Sequence, residues 1–296
     1  MPTIDLPQGP IEYREAGPAG APRPVLFVHG ALVDARLWTG VADALAARGV
    51  RSIAPTLPLG SHRLPMRPDA DLAPRGIARL LLDLIAALDL DDVTIVANDS
   101  GGAISQMLLD LDASRIGRLV LTNCDAFETF PPFPFNVVFH LMASRWRMRP
   151  LLAAMRARPL RHSPLAFGML SERPDPALTR SWIEPGATDP GIRADTLRLL
   201  RGVRPAELRV ATERLVRFDR PALLVWGDAD RFFTPELGRR VAALLPDSRF
   251  VPIPGGRTFV ALDRPEEVAR TIADWLEERS PVLAGTAGPD AAPATA

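Results

Sequence analysis

The chain has 296 residues, 35 basic against 35 acidic side chains for a formal net charge of zero, and 47% hydrophobic residues. That is enough for one large α/β domain or a core with an insertion, and the charge balance gives no reason to expect a nucleic-acid partner. Every basic residue is Arg, so Schiff-base chemistry is excluded for want of an amine; Cys124 stands alone, so no intrachain disulfide forms; and no leader or membrane-length apolar run is present, so a soluble, cytoplasmic protein is expected.

In chain order, an alternating stretch over 11–16 reads as a first strand, and 17–24 is a Pro/Gly-rich turn region. Val25-Leu26-Phe27-Val28 is a continuous apolar strand, the pattern of a sheet covered on both faces, and it runs into His29-Gly30-Ala31. A short amphipathic helix over 41–48, a strand over 50–54 and a long helix over 72–88 follow. Val93-Thr94-Ile95-Val96 then enters Ala97-Asn98-Asp99-Ser100-Gly101-Gly102, with a helical segment leading out, and 116–121 reads as another buried strand. The β-α-β succession predicts a parallel sheet with helices on both faces.

Over 129–216 the character changes to helical pieces broken by Pro, such as 136–147, 151–157 and 206–216, with 14 Arg against 7 acidic residues. Solvated helix faces account for that surplus, and a preference for anionic or polar substrates is the functional alternative. Strands return at 222–226 and 248–253, and a closing amphipathic helix is expected over 265–278. The expected organisation is a core over 1–128 and 217–280, a helical insertion over 129–216, and a disordered Ala/Gly/Pro/Thr-rich tail over 281–296.

The strand–turn–helix at Asp99 has the form of a nucleophile elbow, small-x-nucleophile-x-small. With Asp99 as the nucleophile, Ala97 and Gly101 take the small positions; with Ser100, Asn98 and Gly102 do, and Asn98 is not small. The Asp99 register therefore fits better, because the turn presses its flanking residues against neighbouring backbone.

Together, Val28-His29-Gly30, the elbow at Asp99, Gly227-Asp228-Ala229-Asp230 after a late strand and the final helix make the chain similar to the α/β-hydrolase fold over about residues 10 to 280. That fold is a mostly parallel, doubly wound sheet with an inserted helical cap. An Asp at the elbow resembles the haloalkane dehalogenase and epoxide hydrolase branch. There the carboxylate attacks an sp³ carbon, and a His-activated water cleaves the resulting alkyl-enzyme ester. The resemblance assigns the oxyanion-binding N–H groups to Ala31 and Ser100, and the acid that orients the histidine to Asp230 or, after the preceding core strand, Asp125.

The histidine itself is missing. The resemblance places it where this chain has Gly256-Arg257-Thr258-Phe259, so Thr258 stands there, and Thr is no base near neutral pH. Of the four histidines, His29 belongs to the His-Gly motif and suits a structural hydrogen-bonding role. His140 and His162 lie in the cap. His62 follows a strand's carboxyl end, the edge where α/β sites form, and is the candidate substitute base. Leaving-group machinery is also absent: Ala31 and Ser100 occupy the places of the halide-holding Asn and Trp, and Tyr13 is the sole tyrosine. Trp38, Trp146, Trp182 and Trp226 are possible indole donors, with core packing the commoner role.

The catalytic candidates are thus Asp99, Asp230 and His62, with His29, Asp125, Trp38, His140 and Thr258 as further pocket candidates. The expected partner is a small-molecule substrate, with no nucleic acid, membrane, cofactor or metal. Four readings stay open: hydrolysis of a small, largely apolar molecule through Asp99 with a displaced base; non-hydrolytic isomerisation, elimination or cyclisation with Asp99 as general acid or base; a non-catalytic binding protein; and Ser100 as a serine-type nucleophile.

Overall fold

The computed structural model describes residues 1–279, so the expected tail over 281–296 lies outside the described residues. Eight strands form one sheet in the order β1-β2-β4-β3-β5-β6-β7-β8. β1 (Thr3–Leu6) and β2 (Gly9–Ala16) make an antiparallel hairpin, and β2 also pairs antiparallel with β4. From there the pairing is parallel, through β3 (Val25–Val28), β4 (Ser52–Pro55), β5 (Val93–Asp99), β6 (Ile116–Cys124), β7 (Ala222–Gly227) and β8 (Ser248–Ile253). Because side chains alternate across a strand, Leu26, Ile95, Leu119 and Leu224 enter one core while Val25, Val96, Val120 and Leu223 enter the other. The sheet is therefore buried on both faces, which is why its strands read as continuous apolar runs.

Helices α1 (Thr39–Ala46), α2 (Pro74–Ala87) and α3 (Ser100–Leu111) alternate with the strands of the first half. Between β6 and β7 the chain is helical: α4 (Phe135–Met142), α5 (Arg145–Met155), α6 (Arg158–Arg161), α7 (Pro176–Thr188), α8 (Pro190–Gly202) and α9 (Pro205–Glu213). Asp175 and Asp189 cap α7 and α8 by accepting first-turn N–H groups. The helix expected over 136–147 is broken in two at Ser144, whose backbone is extended. The break lets Met142 and Met148 both turn into the second core. α10 (Pro235–Ala242), α11 (Val260–Asp263) and α12 (Pro265–Glu278) complete the described chain. No helix of the described residues is long and apolar enough to cross a membrane.

Candidate active site

The β5–α3 turn carries Asp99 in the left-handed region, with φ 54° and ψ −135°. A non-Gly residue held there is strained, and such strain persists only where the surroundings enforce it. Here they do. A Cβ added at Gly101 would stand 2.5 Å from the carbonyl oxygen of Val28, and one at Gly30 would run into the Asp99 carboxyl group itself. Asn98, the residue that did not suit the alternative register, turns its amide sideways. Its Nδ2 donates to Thr122 Oγ1 at 2.9 Å, Asn123 O at 3.0 Å and Thr258 O at 2.7 Å. One buried side chain thus ties the elbow to β6 and to the loop after β8.

Asp99 opens into a cavity between the sheet edge and the helices inserted after β6. Its lining is apolar almost throughout: Leu32, Ile104, Phe135, Met155, Phe167 and Leu199 represent it, with Asp99, Ser100 and Asp125 as its polar side chains. The cavity is narrow, with a volume of about 70 Å³.

Three carboxyl groups converge here. The pKa of Asp99 is raised to about 7. Burial is the largest cause; the N–H of Ser100 opposes it, the charge of Asp230 adds to it, and the N–H of Ala31 opposes it. The Ala31 N–H also donates to Ser100 Oγ at 2.8 Å. Asp230 accepts the N–H groups of Phe232 at 2.8 Å and Phe233 at 3.2 Å through one oxygen. Its pKa is raised to about 6 by burial, which outweighs those two bonds and the nearby side chains of Thr258 and Asn123. Asp125 is 1% exposed, and neither of its carboxyl oxygens has a hydrogen-bonding partner. Burial first, and then the charge of Asp99, hold its pKa well above the carboxylate range. Among the described residues, no group of three or more His, Cys, Asp or Glu side chains is arranged to hold a metal ion.

None of the histidines lines the cavity. His29 bonds Gly30 O through Nδ1 at 2.8 Å and accepts the Leu57 N–H on Nε2 at 2.8 Å. Both nitrogens are thereby used by backbone, and burial pulls its pKa down to about 4, which keeps it neutral. The expectation that His62 reaches the cavity is not met. It is absent from the lining, and its Nε2 bonds Asp195 Oδ2 on α8 at 3.0 Å. Asp195 also accepts from the Met66 N–H and from Arg198, so His62 belongs to a buried clamp joining the loop after β4 to α8. His140 is exposed on α4, and His162 bonds Thr179 Oγ1 at 2.9 Å. Trp38 is core, stacked on Phe27 with ring centroids 4.8 Å apart. Thr258 is buried beside Asp230, behind the lining rather than on it.

A family model described as the Alpha/beta hydrolase family matches residues 25–271. The chain belongs to that family. This α/β hydrolase is 28% identical to a haloalkane dehalogenase of Mesorhizobium japonicum, over 93% of this chain and 90% of that one. Among solved structures it resembles haloalkane dehalogenase DbeA from Bradyrhizobium elkani with a TM-score of 0.75, at 22% identity, covering 93% of this chain and 97% of that one. It also resembles a thermophilic esterase from Thermogutta terrifontis with a TM-score of 0.73, at 21% identity, covering 94% and 99%. At such identities the structural likeness fixes the fold and leaves the chemistry to the site.

Three buried amides hold this α/β hydrolase's site together in roles that the sequence alone does not assign: Asn98, Gln106 and Asn123. Gln106 donates to Asp125 O at 2.8 Å and accepts from Thr212 on α9 at 2.6 Å. Asn123 bonds both the N–H and the carbonyl of Gly227, locking the ends of β6 and β7. The available signal was their type: amides amid apolar strand and helix residues must find partners once buried.

Proposed function

We propose that this α/β hydrolase converts a small, largely apolar molecule enclosed beneath the cap, with Asp99 as the reacting group. The observation that carries this reading is the placement of the Asp99 carboxyl group. It is held in a strained turn, faced by two backbone N–H groups, and opens into an apolar cavity. Such a carboxylate can attack an sp³ carbon, forming an Asp99 ester while the leaving group departs with the bonding electrons. Hydrolysis at the ester carbonyl would develop its oxyanion where the N–H groups of Ala31 and Ser100 point. The relatives named haloalkane dehalogenase support displacement at such a carbon. Attack by a carboxylate on an ordinary ester would give a reactive anhydride, so esterase action through Asp99 is disfavoured.

One observation favours a second reading. No imidazole lines the cavity, and Asp99 titrates near neutrality, the range that suits a general acid or base. Asp99 would then shuttle a proton in an isomerisation, elimination or cyclisation, without a covalent ester. Intact-mass spectrometry after incubation with alkyl halides and epoxides separates the two. A mass increase mapping to Asp99 supports the displacement reading. Proton-transfer chemistry that Asp99→Asn abolishes, with no adduct from any probe, supports the second.

A further inference from the structure

We propose that Asp125 carries both proton transfers of the reaction that Asp99 begins: it donates to the leaving atom as the ester forms, and takes a proton from water as the ester is cleaved. This inference rests on the displacement reading above.

Asp125 directly follows β6, beside the elbow, and its N–H donates to the Asp99 carbonyl at 3.4 Å. Its side chain lines the cavity, is 1% exposed, and leaves both oxygens without a partner. A structural Asp at that depth is expected to hold N–H groups, as Asp230 does with those of Phe232 and Phe233. An unpaired buried carboxyl group keeps its proton, because ionisation without a partner is costly there. The result is a neutral O–H facing an apolar space and adjoining Asp99. The loop that carries it is fixed: Gln106 holds the Asp125 carbonyl, and the Phe127 N–H bonds Thr212 Oγ1 at 3.1 Å.

The steps balance for a strained cyclic ether. Ionised Asp99 attacks a ring carbon; the C–O bond breaks, and its electron pair goes to the oxygen, which takes the proton of Asp125. The products are an Asp99 ester of a hydroxyalkyl group and an ionised Asp125. That carboxylate then draws a proton from water as the water oxygen adds to the ester carbonyl. On collapse the bond from the Asp99 carboxyl carbon to the alkoxy oxygen breaks, and that oxygen takes the electron pair and the remaining proton of the added water, releasing the diol and leaving ionised Asp99 and protonated Asp125. Two carboxyl groups divide nucleophilic and proton-transfer work in the same way in retaining glycoside hydrolysis. No imidazole is then required.

A halide differs. It leaves without taking a proton, so Asp125 stays protonated and cannot act as a base. The lining also contains no Trp: the Trp182 indole donates to Asp34 at 3.0 Å and that of Trp226 to Phe233 O at 2.8 Å. The cavity therefore suits an electrophile whose leaving oxygen needs a proton over one that releases a halide.

Styrene oxide and 1-bromohexane test this with the full chain. Wild type is expected to form the diol from styrene oxide. Asp125→Asn is expected to be slower by about 10²-fold or more, the usual worth of a positioned proton-transfer group. Asp125→Ala is expected to regain rate with added formate, which a merely structural defect would not. With 1-bromohexane, the Asp99 ester of wild type should persist at neutral pH and be released as the pH is raised. That measurement decides the matter even where the variants fail to fold. Asp125→Asn acting at the wild-type rate while Asp99→Asn is dead overturns the role of Asp125 alone, as does prompt release of the bromohexane-derived ester at neutral pH. Wild type giving neither diol nor Asp99 ester overturns both this role and the displacement reading.

Discussion

Asp99 and Asp125 stand at the carboxyl ends of adjacent parallel strands, joined by a 3.4 Å backbone hydrogen bond, with both side chains on one cavity wall. Two carboxyl groups so placed in apolar surroundings do not ionise together readily. Asp99, which has N–H groups facing it, ionises first, and Asp125 keeps its proton. The rate constant kcat/KM for styrene oxide is therefore expected to rise with pH through about 7 as Asp99 ionises. It should fall again at higher pH as Asp125 loses its proton. A profile flat through the neutral range would contradict this assignment.

The same cluster sets a stability trend. The folded pKa values of Asp99 and Asp230, about 7 and about 6, lie above the ordinary 3.8. Between those limits the folded protein binds more protons than the unfolded chain, so the cluster lowers stability as pH rises through that window. Asp99→Asn removes the Asp99 part of this effect. It is expected to gain stability on the order of 1–4 kcal/mol at mildly alkaline pH and little at acid pH, while losing activity. Thermal unfolding of both proteins at the two pH values measures the difference. Equal shifts at both would sink the argument.

Gly30→Ala probes the carboxyl group's position without changing its chemistry. The new Cβ would meet the Asp99 side chain, which must turn away from the N–H groups of Ser100 and Ala31. A loss of about 10²-fold or more in kcat is expected, since misplacement of a reacting group by an ångström has that effect. Circular dichroism and gel filtration should show a folded protein. Full activity would mean that the carboxyl position is unimportant.

Asp195→Ala tests the link between α8 and the loop after β4. Burial works to raise the pKa of Asp195, but His62, the Met66 N–H and Arg198 hold it below the usual carboxylate value. Its contribution is present above the unfolded pKa and is lost as pH falls through the folded one. Removing it strands His62 and the Met66 N–H in a buried site, at a cost of about 3 kcal/mol. Denaturant unfolding at neutral pH measures this, and a loss below about 1 kcal/mol would show the clamp to be dispensable.

The sheet was readable from the sequence because both of its faces are buried, which leaves uninterrupted apolar runs such as 25–28 and 222–226. Those runs, with the small residues around Asp99, mark the turn at which Asp99 takes its positive φ. The hairpin strand β1 was not anticipated, because Thr3-Ile4-Asp5-Leu6 is short and only Leu6 is fully buried. α10 was missed although Pro235 at its first turn and Glu236 beside it are start signals. The fate of His62 was not legible. Its partner Asp195 lies 133 residues away, and only the docking of α8 brings them together. The isolation of Asp125 was equally hidden. A lack of partners is a property of the packed surroundings, and no local pattern announces it.

Whether Asp99 forms and releases a covalent ester is read out by turnover of styrene oxide in heavy-oxygen water, followed by mass spectrometry of the peptide that carries Asp99. Attack of water on the ester carbonyl places solvent oxygen in the Asp99 carboxyl group, and the diol of a single turnover stays unlabelled. Label is expected on Asp99. Label in the first-turnover diol, with none on Asp99, would rule out the ester.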